Sequence, residues 1–218
     1  MALGALFYPK GTDENPIPFQ SLFIPWIYNE IYMEGLYGDI LNGRKEMTII
    51  DAGANIGIVT QFMRDYAKKI YAVEPSAEHF EALKANKEHN KWDNVELFNV
   101  AFADKDGEMT LNYLPGNRTS NSIVNNYKQG TQTCKTVAFD TFFEQNKIEE
   151  VDFMKFDVEG AEDMILRSEG FLKVAPKIKA IEIEFHYPTF PQLVEHLMSL
   201  GYKARRFDSS AVVILFTR

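Results

Sequence analysis

From Met47 onward, short runs of aliphatic and β-branched residues alternate with longer stretches of helical spacing, a pattern that predicts a parallel β-sheet covered by helices. Residues 47–51 are nearly all apolar, as expected of a central strand buried on both faces. A glycine-containing turn follows, then helical spacing over 58–67 and a second strand over 69–73 that Glu74-Pro75 ends, because proline cannot continue a ladder. Ser76 is placed to cap a helix running to Asn90, with Phe80, Leu83 and Trp92 facing inward. Residues 95–101 predict a third strand. Residues 108–114 and 134–139 read as a paired β-hairpin insertion around a long polar loop, and 151–157 and 179–185 as two more sheet strands. Helices are expected over 140–146, 160–168 and 188–200. Residues 202–207, the turn-forming Asp208-Ser209-Ser210 and the apolar run 211–216 read as an antiparallel hairpin, which separates this pattern from an all-parallel dinucleotide-binding sheet.

The segment before this pattern is rich in aromatic residues (Phe19, Phe23, Trp26, Tyr28, Tyr32, Tyr37) and broken by Pro18 and Pro25. It is too short to bury a core of its own and is expected to lie as one or two short helices over the sheet. The 218 residues then make one domain, with 1–46 as a helical cover and 47–218 as the core. A hydrophobic share of 45% with 25% charged residues sets aside disordered and collagenous classes. No apolar run approaches the roughly 18 residues that span a bilayer, and the start lacks a basic signal segment. A single cysteine, Cys134, forms no internal disulfide, so a cytoplasmic protein with no membrane partner is expected. For the same reason Asn117-Arg118-Thr119 reads as plain loop and not as a glycosylation acceptor. The formal charge of −8 opposes broad attraction to nucleic acid phosphates without excluding a local patch. Lys203, Arg205 and Arg206 are the densest basic cluster, and they read as solvated surface.

Chemistry concentrates at predicted strand ends. Asp51-Ala52-Gly53-Ala54-Asn55-Ile56-Gly57 lies where the first strand turns into a helix, the edge at which open parallel sheets bind ligands. Gly53 and Gly57 either let the backbone approach a cofactor or simply serve the turn. Glu74 ends the next strand, where a carboxylate can accept hydrogen bonds from ribose hydroxyls. The turn is not the Gly-x-Gly-x-x-Gly of a pyrophosphate site, and Asp51 can orient the loop by accepting backbone N–H groups. A cationic ligand, with a sulfonium and an amino group, suits such a loop better than two phosphates. Lys155, Asp157 and Glu159 alternate, so a straight strand would place them on one face; Glu159 and Glu162 can equally favour the following helix N-terminus. The next predicted strand leads to His186, whose ordinary pKa suits proton removal at neutral pH, although a histidine here can also be structural. His79, His89 and His196 fall in helices away from the predicted edge. Asp157, Glu184 and His186 could converge on a metal, but the spacing does not require one and no metal ligand is assigned.

These residues resemble the FkbM-type S-adenosylmethionine-dependent methyltransferases. The resemblance runs through residues 50–57, Val73-Glu74-Pro75, Asn99-Val100-Ala101-Phe102-Ala103-Asp104, the Asn121-Ser122 region and Lys155-Phe156-Asp157-Val158-Glu159-Gly160-Ala161-Glu162. It implies a class I methyltransferase α/β fold: a Rossmann-like sheet, mostly parallel, with seven strands and a C-terminal antiparallel hairpin. It also implies Gly53 and Asn55 near the methionine part of the cofactor, Glu74 on the ribose, Ala101 and Phe102 beside the adenine, and Glu184 as the family's glutamate. The expected cofactor set is thus Asp51, Gly53, Asn55, Gly57, Glu74, Pro75, Ala101, Phe102, Asp157 and Glu159, and the expected catalytic set His186, Asp157 and Glu184. The expected reaction is O-methylation of a hydroxyl on a saccharide or other small polar molecule, with an acceptor pocket shaped by the amino-terminal segment and residues 115–133. Three alternatives stay open: a cofactor-binding module without turnover, an RNA ribose methyltransferase, and a nicotinamide-dependent oxidoreductase. The second lacks a lysine anywhere in 182–186 to complete a Lys-Asp-Lys-Glu set, and the third gains nothing from the terminal hairpin. Oligomeric state stays open.

Overall fold

The computed structural model describes residues 38–41, 43–113, 130–186, 190–206 and 213–218. The amino-terminal cover before residue 38, residues 115–129 of the insertion and the 208–210 turn lie outside the described residues. A short helix α1 (Gly38–Leu41) leads in, with Ile40 and Leu41 buried. Strands β1 (Met47–Ala52), β2 (Ala67–Val73), β3 (Val95–Phe98), β7 (Phe153–Phe156), β8 (Ala180–Glu184), β9 (Lys203–Arg206) and β10 (Val213–Thr217) form one seven-stranded sheet. Their order is β3-β2-β1-β7-β8-β10-β9. The first five run parallel, and β10 lies antiparallel between β8 and β9. This is the class I methyltransferase arrangement, α/β with a mostly parallel sheet closed by an antiparallel hairpin.

Strand periodicity divides the core between the two sheet faces. Ile50, Met154, Phe156, Ile183 and Phe216 point to one face, and Ile49, Phe153 and Leu215 to the other. On the first face α4 (Phe139–Gln145) and α6 (Glu169–Val174) pack, with Phe102 stacked on Phe139 at 4.1 Å between centroids. On the second face α2 (Ile58–Met63) and α3 (Ala77–Asn90) contribute Met63 and Leu83, beside Trp92. Ser76 caps α3 as its position suggests, its hydroxyl accepting from the His79 amide.

Several boundaries differ from the sequence reading. The helix expected over 58–67 ends at Met63, passes through a 3₁₀ turn (Arg64–Tyr66), and gives way to β2, because Ala67 already pairs with Met47. The strand expected over 95–101 breaks after Phe98. Asn99 donates its side-chain amide to the carbonyls of Glu74 and Pro75 there, and β4 (Ala101–Phe102) joins a separate three-stranded sheet with β6 (Gly130–Val137) and β5 (Gly107–Tyr113). The helix expected over 160–168 is the shorter α5 (Glu162–Leu166), and α6, a helix the sequence reading did not include, follows it because the Ser168 hydroxyl accepts from the Phe171 amide and caps its start. Helix α7 (Phe190–Ser199) precedes β9. Among the described residues no helix is long and apolar enough to cross a membrane.

Candidate functional site

The parallel register brings the C-terminal ends of β1, β2, β7 and β8 to one edge of the sheet. Gly53 follows β1 with φ 79°, and a Cβ there would stand 1.9 Å from the Asp157 carbonyl oxygen. Only glycine fits, because the β1 turn packs directly on the β7 turn. Gly57 (φ 92°) starts α2, and a Cβ there would meet Leu83 at 2.6 Å and Trp92 at 2.7 Å. Glycine there lets the start of α2 pack closely on Leu83 and Trp92, a constraint beyond the turn and cofactor approach that the sequence suggests.

The loop is held differently from the sequence expectation. Asp51 is fully buried and accepts no backbone N–H among the described residues; one oxygen takes the Thr60 hydroxyl at 2.5 Å and the other lies 3.9 Å from the Lys155 ammonium. Burial raises the Asp51 pKa, and Lys155 and Thr60 act against that rise. The carboxylate that holds the loop is Glu74, which accepts the amides of Asn55 and Ser76, each at 2.8 Å. Geometry explains the exchange: Asp51 still lies in β1, where its backbone neighbours are committed to the ladder, whereas Glu74 faces the turn across the strand gap. Asn55 has φ 53° and accepts the Ile56 amide with its own side chain, so it shapes the turn locally. Pro75 contributes its carbonyl to Asn99. His79 departs from expectation: its Nδ1 is 3.7 Å from Glu74, so it belongs to this edge. His196 binds the Leu166 carbonyl, a structural contact. Ala101 and Phe102 are buried, and the Phe102 ring is committed to the core against Phe139 and Phe142.

Beyond β7 the chain does not run straight. The strand ends at Phe156, and Glu159 and Gly160 take positive φ values of 52° and 102° in a tight turn. This turn, and not strand alternation, brings Glu159 toward His186. The His186 Nε2 faces Glu159 at 3.4 Å, Glu184 at 3.6 Å and Asp157 at 3.8 Å, while Nδ1 bonds the buried Glu162 at 2.9 Å. Glu162 also accepts the Gly160 amide, so it fixes both the ring and the turn. The sequence leaves Glu162 open between a functional role and a helix N-terminal charge and places it in neither the catalytic nor the cofactor set. A buried carboxylate beside a motif histidine is the signal that would have separated the two roles.

The electrostatics follow from this crowding. Burial disfavours the charged His186 ring, but the Glu162 hydrogen bond and the charges of Asp157 and Glu159 outweigh it and lift the pKa to about 9. Burial, reinforced by the Asp157 charge, pushes Glu159 up to about 8. One atom from each of Asp157, Glu159 and His186 lies within 4.8 Å of the others, near enough to share a metal ion. An imidazolium has no lone pair to offer, however, so metal binding here would first require loss of that proton. The arrangement presents oxygen acceptors and one oriented proton-holding ring next to a glycine turn, a combination suited to hydrogen-bonding hydroxyl groups.

Comparison with known proteins agrees with this fold. The model of the methyltransferase FkbM domain matches residues 51–204, and the chain belongs to that family. Methyltransferase 1 of Beauveria bassiana is 27% identical over 172 residues, taking in 69% of this chain and 69% of that protein. The hexuronic acid methyltransferase AglP of Haloferax volcanii is 24% identical over 149 residues, 68% of this chain and 60% of its own length. Among solved structures, Aeropyrum pernix fibrillarin with natively bound S-adenosyl-L-methionine superposes with a TM-score of 0.51 at 14% identity. That match covers 86% of this chain and 73% of the other, a likeness of fold.

Proposed function

We propose that this methyltransferase acts on a hydroxyl group of a saccharide or a similarly small polar acceptor. The methyl donor is S-adenosylmethionine, which supplies an electrophilic methyl group on a sulfonium. Residues of the chain fit it: Asp51, Glu74 and Asp157 gather acidic groups at the strand ends beside the Gly53 turn, and the buried Asp157 Oδ1 has no hydrogen-bond partner among the described residues, which suits a cationic molecule. Glu74 and Asn55 shape the turn beside it and Gly57 seats α2 behind it, while the adenine neighbours that the family resemblance implies, Ala101 and Phe102, are buried at the start of β4. Overall, an acceptor hydroxyl gains the methyl group, the carbon–sulfur bond breaks, and the hydroxyl proton leaves.

The observation that carries the acceptor class is the ring of carboxylates around His186. Carboxylates accept hydrogen bonds from neutral hydroxyls and repel anionic acceptors such as phosphates or free carboxylates. Asp157, Glu159 and Glu184 then hold neighbouring hydroxyls of the acceptor, and His186, aligned by Glu162, takes the proton. The name of the AglP relative, a hexuronic acid methyltransferase, supports the saccharide part of this reading and not its neutral charge, since a hexuronic acid carries a carboxylate.

The test is transfer of labelled methyl from S-adenosylmethionine to a panel of neutral sugars, sugar acids and RNA, comparing the native chain with His186→Gln. Label on neutral sugars, lost in His186→Gln, is expected. Label confined to RNA or to sugar carboxyl groups would overturn the acceptor class, and no transfer by a chain that binds the donor would point to a binding module.

A further inference from the structure

The sheet carries a charged row through an otherwise apolar layer. Register pairs Asp51 of β1 with Lys155 of β7, and Lys155 with Glu182 of β8. All three are buried, on the face that holds Ile49, Phe153 and Leu215. Lys155 is the cation of that row. Its ammonium donates to the Gly53 carbonyl at 2.9 Å and to Asp157 at 3.1 Å, and lies 3.9 Å from the Asp51 oxygen that has no hydrogen-bond partner among the described residues. An ammonium has three donor hydrogens, and three acceptors surround this one. Gly53 opens the cofactor turn and Asp157 opens the turn that carries Glu159, so one side chain ties the two functional loops together. The contact of Gly53 with the Asp157 carbonyl shows how closely they must sit.

We infer that Lys155 is a positioning residue: it holds the β1 and β7 turns as one body and thereby sets the shape of the cofactor site, without itself being a catalytic group. Burial opposes the charged ammonium, but Asp157 and Asp51 more than compensate and raise its pKa above the usual lysine value, so the clamp carries its charge across the working pH range. An uncharged, similarly long side chain would leave the Gly53 carbonyl without its donor and two carboxylates without their counter-charge. The loops would then relax apart, with or without loss of the fold.

The inference rests on the cofactor reading above, and calorimetry on the full chain separates the two. Failure of the native chain to bind S-adenosylmethionine would sink the reading itself. Given native binding, Lys155→Met is expected to weaken both S-adenosylmethionine and S-adenosylhomocysteine about tenfold or more, at a stoichiometry near one, as loss of a buried charge-assisted hydrogen bond implies. Three results overturn the inference: an unchanged Kd at full stoichiometry, an unchanged Kd at reduced stoichiometry (a folding role only), or a change confined to the sulfonium-bearing ligand (a field effect only). Should Lys155→Met fail to fold, the pair Asp51→Asn and Asp51→Asn with Lys155→Met carries the same test with one buried charge fewer. The double variant is expected to bind about tenfold more weakly than Asp51→Asn alone, and equal binding overturns the inference.

Discussion

At the scale of single residues, the site depends on two contacts that admit little change. A methyl group at Gly53 would overlap the Asp157 carbonyl, so Gly53→Ala must push the two turns apart. Steric overlap with backbone and a positive φ together are expected to cost about 2–4 kcal/mol and to abolish cofactor binding; thermal unfolding and calorimetry check both. His186 makes a prediction of a different kind. With its pKa lifted to about 9, the ring is protonated at neutral pH and must lose that proton before it can accept another. As general base it would give kcat/KM that climbs with pH, about tenfold per unit, toward a limb near 9. A flat profile from pH 6 to 9, or His186→Gln with native activity, would remove His186 from that role. Glu162→Gln tests its orientation: keeping the size but losing the charge, this variant is expected to move the limb to lower pH.

At the scale of elements, strands were the most legible part of the chain and short helices the least. Residues 47–51 and 69–73 announce buried parallel strands by composition alone, and both appear within two residues of the expected boundaries. The breaks at Met63 and Phe98 were not legible, because each is decided by a distant partner: Met47 claims Ala67 for the sheet, and Asn99 anchors to the carbonyls of Glu74 and Pro75. The break at Arg167 is local, since Ser168 caps the helix that follows by accepting from the Phe171 amide, a signal present in the sequence but not read there. Candidate site residues were legible as strand-end positions, but not the partners that orient them. Asp51 and Glu74 exchanged the loop-holding role for that reason, and Lys155 looked like one charge among three. Where a cap was read correctly its strength can be tested: Ser76→Ala removes the bond to the His79 amide and is expected to cost about 1 kcal/mol. Because Ser76 also donates its amide to Glu74, the same variant should leave that backbone contact, and hence cofactor affinity, nearly intact.

At the scale of the whole molecule, the acidic edge links stability to pH. His186 and Glu159 both bind protons more tightly in the folded chain, at about 9 against an ordinary 6.5 and at about 8 against 4.5. Between those limits the native state holds more protons than the unfolded one, so stability falls as pH rises. The melting temperature is expected to decline from pH 6 to 9, and Glu159→Gln to make that decline shallower. A melting temperature that rises over this range would contradict the described crowding. The large core gives a second check: Phe216 is fully buried beside Phe185, and Phe216→Ala is expected to cost about 3–5 kcal/mol by opening a cavity beneath the sheet.

The position of β10 has a consequence for how the chain is made. Strand β9 is synthesised before β10 yet has no place in the sheet until β10 lies between it and β8. While residues 213–217 are still absent, Ile181 and Ile183 stand on an open parallel edge, the kind of surface on which unfinished chains pair with one another. A chain halted at residue 206 should therefore collect in aggregates during expression, whereas one that reaches residue 218 closes its own edge.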